Sequence, residues 1–100
     1  MSMKNLDLLE LSIKNILEIE DIYNETKYRK IFLVLRRELG SSTKLKEIYK
    51  MKPRELTRIL GFGKTSLLIL IKFFIAYDIN YTEIHNINDI ESIIDLMLRL

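Results

Sequence analysis

Residues 53–74 read PRELTRILGFGKTSLLILIKFF, and the punctuation of this stretch decides the fold. Pro53 suits the first turn of a helix, where its missing amide proton costs nothing. The spacing predicts a helix over 53–60 that stops at Gly61. A second helix is expected from about Lys64 to Tyr77. Its segment 67–71 is apolar on every side, which is the pattern of a buried helix. Two helices joined by a short glycine-containing turn make a helical unit with a tight corner.

Working outward, the same logic assigns the flanks. Leu45, Ile48 and Tyr49 mark a short helix over 44–50. Residues 41–43 are loop and capping residues, and Gly40 is a natural C-terminal cap because it tolerates a left-handed backbone. A helix over 27–39 carries Ile31, Phe32, Leu35 and Leu39 on one side and Arg29, Lys30, Arg36 and Arg37 towards the other. Residues 24–26 form a turn. Before it, Leu6, Leu9, Ile13 and Ile16 recur at helical spacing, with Leu8, Leu11, Ile19 and Ile22 as a second strip. One helix over 5–23 with two apolar strips is expected, buried on two sides. At the other end, Tyr81, Thr82 and Ile84 are strand formers, so residues 79–87 fit a minimal β-hairpin. Asn88 with Glu91 resembles a capping box that opens a last helix over 88–100.

Composition sets the class. The chain has 100 residues, which fits one domain, and 48% of them are hydrophobic. Surface scales unfavourably at this size, so some apolar faces are expected to meet a second copy. The expected homodimer uses Leu6, Leu9, Ile13 and Ile16 of the first helix and Ile90, Ile94 and Met97 of the last. The absence of cysteine excludes disulfides and thiolate metal sites. No signal peptide or membrane span is read from the pattern, and a cytoplasmic, nucleoid-associated protein is expected.

Charge carries the functional signal. Of 16 basic residues, 13 fall between Lys27 and Lys72, against 3 acidic ones. Residues 1–26 and 73–100 each carry a net charge of −4. A basic middle between acidic ends suits a polyanion-binding unit with separate assembly elements. The expected organisation is an assembly helix over 1–26, a DNA-binding unit over 27–87 and a C-terminal helix over 88–100.

The stretch 53–74 resembles a helix-turn-helix, the unit also found in winged-helix DNA-binding proteins. Leu56, Leu60, Leu67 and Leu70 match its apolar positions, Gly61 its turn and Phe62 the plug between helices; the resemblance implies Leu56 and Leu60 packed inward and Thr57 small where the second helix crosses. The resemblance implies a second helix in the major groove, with Lys64, Thr65 and Ser66 of its first turn meeting DNA. Residues 79–87 would then be the wing. A second resemblance, over residues 44–74, is to the C-terminal domain of bacterial RNA polymerase alpha subunits. It rests on Leu45, Ile48, Glu55, Leu56, Ile59, Phe62, Gly63, Lys64, Ser66 and Leu67, aligned without gaps. It implies a helix-hairpin-helix in which Gly61-Phe62-Gly63 lets backbone amides approach a phosphate. Gly63, Thr65 and Ser66 would touch the DNA backbone, assisted by Arg29 or Lys30. Thr65 departs from that family, which has a second lysine there. Both resemblances lead to DNA; the helix-turn-helix, winged or not, is the first reading and the helix-hairpin-helix the runner-up.

Either way, Leu68 and Ile69 would lie near the DNA-facing side, where they cannot hydrogen-bond base edges. Binding through phosphates is therefore expected, with limited base readout. The expected contacts are Gly63, Lys64, Thr65 and Ser66, surrounded by Lys52, Arg54, Arg58 and Lys72, with Lys44, Lys46 and Arg36 towards outlying phosphates. No catalytic role, cofactor, metal or small-molecule substrate is assigned. Gly63-Lys64-Thr65 matches the end of a nucleotide-binding P-loop, but Arg58 stands where that motif needs glycine. His85 reads as structural or solvated, and Glu18, Glu20 and Asp21 as a solvated helix face. The expected protein is thus a mainly α, non-enzymatic DNA-binding homodimer, acting as a transcriptional regulator or as a DNA-organising or partition protein. The alternative is a helical interaction module in a larger complex.

Overall fold

The computed structural model describes residues 5–87, with side chains from residue 7. The expected helix over 5–23 is broken twice, into α1 (Asn5–Glu10), α2 (Ile13–Leu17) and α3 (Glu20–Asn24). The first break is set by Ser12, whose backbone is extended and whose Oγ accepts from the Asn15 amide at 3.2 Å, capping α2. The chain here zips onto the loop after residue 40. Ser12 and Lys44 form an antiparallel bridge, and the Leu45 and Ile13 amides donate to the Leu11 and Thr43 carbonyls at 2.9 and 2.8 Å. An extended N-cap at Ile19 makes the second break.

Helix α4 (Thr26–Leu39) follows, opened by the Glu25 carboxylate, which accepts from the Lys27 amide. Gly40 ends it at φ +100°, and Thr43 donates its hydroxyl to the Leu39 carbonyl at 2.7 Å. Helices α5 (Leu45–Lys50) and α6 (Pro53–Thr57) begin alike: Glu47 and Glu55 each reach back to the amide three residues earlier. That contact satisfies one of the orphan donors of a helix start. Helix α7 (Lys64–Ala76) runs through the centre, and α8 (Tyr81–Ile84) closes the described chain.

The packing order is simple. Helices α2 and α3 lie on α4, α4 lies on α7, α1 lies on α5, and both α6 and α8 lie on α7. Phe32 meets Phe73 edge-on at 4.9 Å, and Phe74 stacks on Tyr81 at 4.9 Å. Tyr81 is fully buried and donates its hydroxyl to the Met51 carbonyl at 2.7 Å, so burial pushes its phenol pKa well up.

Three expectations are corrected here. Residues 79–87 form no hairpin; α8 stands in its place, and no named strand occurs among the described residues. Asp78 turns the chain at φ +56°, and burial of Ile79 and Tyr81 overrides the strand preference of the segment. Ile13 and Ile16 are 0% exposed inside their own chain and are not available to a partner. The cause is the broken helix, because short α2 lays that strip on α4. Leu60 does not pack inward. Helix α6 ends at Thr57, and Leu60 is 75% exposed. Leu9 is half-buried against the core. The Leu6 side chain and the whole of Ile90, Ile94 and Met97, with the expected helix over 88–100, lie outside the described residues.

Candidate nucleic-acid interface

The turn between α6 and α7 is narrowly specified. The Phe62 amide donates to the Ile59 carbonyl at 2.9 Å, and Gly61 sits at φ +80°. This is the type II arrangement, with glycine at the third position, where L side chains are strained. A Cβ on Gly61 would also lie 2.7 Å from Arg37 Nη2. Phe62 is 1% exposed and anchors the turn. Gly63 differs: its backbone is extended and a Cβ there would meet nothing within 4 Å. Packing does not demand that glycine. It leaves the start of α7 open, with exposed Lys64 and Thr65, half-buried Ser66 and no side chain capping the first turn. Unpaired amides and the helix dipole favour an anion at such an end.

The structure adds a wall to this opening. A cleft of about 280 Å³ is lined by Lys27, Lys30, Ile31 and Val34 of α4, by Gly61 of the turn, and by Ser66 and Ile69 of α7. Two lysines of α4 thus line one cleft with Gly61 of the turn and Ser66 of the first turn of α7. Arg37, one further turn along α4, donates through Nη2 to the Leu60 carbonyl at 3.2 Å and through Nε to Glu38 at 3.0 Å. It braces the turn. Lys27, Lys30, Val34 and Arg37 follow helical spacing on one face, the pattern that identifies this wall. Lys27 and Arg37 had not been singled out as contacts, and Lys30 entered only through a resemblance.

The other expected contacts disperse. Gly63, Lys64, Thr65 and Ser66 are contiguous at the start of α7, and of these Ser66 lines the cleft. Lys52 and Arg54 line a separate cleft of about 570 Å³ with Pro53, Glu55, Ile84, His85 and Asn86. Lys44 and Lys46 pair with Glu10 at 3.5 and 3.3 Å. Hydrogen bonding from Lys46, then its charge and that of Lys44, hold the Glu10 carboxyl below the usual range. Arg36, Arg58 and Lys72 are exposed, on α4, after α6 and on α7 respectively. Arg29 is committed elsewhere: it donates to the Tyr23 carbonyl at 3.1 Å and lies over the Tyr23 ring. Thr57 is exposed and donates to the Arg54 carbonyl, so it is not where α7 crosses. His85 is half-buried, with Nε2 2.7 Å from the Tyr49 carbonyl and its ring against Tyr81. It fastens α8 to α5.

Chemically, the cleft brings two lysines and a serine together beside the uncapped start of α7, a set of groups of the kind that can hold an anion. Among the described residues there is no group of three metal-ligating side chains, and no helix is long and apolar enough to cross a membrane. Comparison with protein-family models, with curated proteins and with solved structures finds no match to this chain.

Proposed function

We propose that this protein binds double-stranded DNA through a helix-hairpin-helix formed by α6, the turn at 58–63 and α7, with α4 as a basic wall. The observation that carries the reading is the cleft that joins Lys27 and Lys30 to Gly61 and Ser66. The helix-turn-helix alternative asks α7 to present a reading face. Leu68, Leu70, Ile71, Phe73 and Phe74 of that helix are instead buried, which favours the hairpin. An exposed lysine and a phosphate 4 Å apart contribute about 1 kcal/mol at the dielectric of water. Affinity therefore comes from several contacts and from counterion release, and base readout is thin. Such a protein organises DNA or regulates through shape and spacing.

The test is fluorescence anisotropy with a random-sequence duplex across a salt series. The expected log–log slope is several units, at about −0.9 per phosphate neutralised. Lys30→Glu should weaken binding by about ten-fold or more and make the slope shallower by about one or two units. A slope near zero, or wild-type affinity in Lys30→Glu, refutes the site.

A further inference from the structure

Among the described residues, Leu60 is the most exposed large hydrophobic side chain, at 75%, against 42–50% for Tyr23, Ile75 and Ile84. A single exposed leucine needs no explanation by itself. Its setting does. Leu60 occupies the second position of the turn closed by Phe62 and Ile59, at the tip, immediately before Gly61. Its carbonyl is held by Arg37, and the residue two positions on is a buried anchor. The backbone is thus fixed while the side chain projects. Basic groups surround it in the chain and in space: exposed Arg58 and Lys64 on either side, and Lys27 and Lys30 across the cleft that Gly61 borders.

We infer that Leu60 is an apolar wedge which enters the minor groove between base steps, and that the preferred ligand is duplex DNA containing a weakened or flexible step. The inference rests on the duplex-binding reading above. The minor groove is about 6 Å wide, which admits a turn tip and excludes a helix. Leucine is among the side chains that unstack a base step when a basic surface presses them against the duplex. Unstacking is easiest at pyrimidine–purine steps and at mismatches, and hardest in stiff A-tracts. A braced leucine at the tip of a basic turn therefore converts phosphate-driven binding into selection for deformable DNA.

The experiment compares wild type, Leu60→Ala and Lys30→Glu on three duplexes: one with a central mismatch, one with a central TA step and one A-tract. Wild type should bind the mismatch about ten-fold more tightly than the A-tract, with the TA step between. Leu60→Ala should reduce that preference to within about two-fold while keeping the salt slope. Because the side chain is exposed, the variant should fold as wild type does. The chain lacks tryptophan, so Leu60→Trp supplies a single indole, excited apart from the tyrosines, that should be quenched by base stacking on the mismatched duplex. A preference unchanged in Leu60→Ala, or an equal loss on all three duplexes, overturns the wedge. If Lys30→Glu is then weakened throughout, duplex binding stands without it. No binding of wild type to any duplex at low salt overturns both.

Discussion

Among the described residues, helices α4 and α7 are the two long helices and lie against each other, yet they divide the work in opposite ways. Helix α4 buries Ile31, Phe32 and Leu35 and leaves Lys27, Lys30, Arg36 and Arg37 in solvent. Helix α7 buries five of its thirteen residues, and Ser66, Leu67 and Ile69 are half-buried. Its exposed strip after the first turn is narrow: Lys72, Ala76 and, to one side, Ile75. One helix therefore supplies most of the core and the other the charged wall, and the surface proposed to meet DNA lies beside the 58–63 turn.

The largest effect that can break this division is on stability. Phe73 is fully buried and meets Phe32, Tyr28, Phe74 and Tyr77 ring to ring. Phe73→Ala should destabilise by about 3–5 kcal/mol, measured by denaturant unfolding. Arg36→Ala, on the outer side of α4, should stay within about 0.5 kcal/mol. Comparable losses in the two variants would mean that α7 is not the core helix.

A smaller effect sharpens the role of the turn. Gly61→Ala places a Cβ at φ +80° and against the Arg37 guanidinium. The left-handed conformation costs roughly 1–2 kcal/mol for a residue with a Cβ. Arg37 has a flexible end and can yield, but it then releases the Leu60 carbonyl. Thermal unfolding should show the loss, and duplex affinity should fall further than it does in Gly63→Ala. The Gly63 backbone is extended and its Cβ has space, so that variant should keep wild-type stability. Equal destabilisation by the two substitutions contradicts the turn as described.

Much of this was legible in the residues. Pro53, Gly40 and Gly61 announce element boundaries because each is tied to a backbone geometry that few other residues accept. The apolar run 67–71 correctly signals burial. The N-terminal segment misleads because its apolar spacing is compatible with one long helix, while its first break depends on Ser12 meeting Lys44 and on residues 41–43, contacts made between distant parts of the chain. The segment 79–87 misleads for a related reason. Strand propensity is a preference for a half-buried pleated surface, and the aromatic cluster around Tyr81 offers a different burial. The candidate site divides likewise. Gly63 to Ser66 are contiguous in sequence and open α7 together, whereas Lys27 and Lys30 reach Ser66 only through the packing of α4 on α7.

The smallest expected effect sets the two helices directly against each other. Lys72 is exposed on α7, eight residues beyond Lys64, or about 12 Å along the axis at 1.5 Å per residue. If α7 lay in a major groove as a reading helix, a reversed charge there would face the phosphates and weaken binding as much as Lys30→Glu does. If the turn and α4 make the contact, Lys72 lies away from the cleft, and its influence reaches the duplex only through screened solvent. The Debye length near physiological salt is about 8 Å. Lys72→Glu should therefore change affinity by about two-fold or less at that salt, with more effect as salt is lowered. A loss matching Lys30→Glu would move the duplex onto α7 and restore the helix-turn-helix reading.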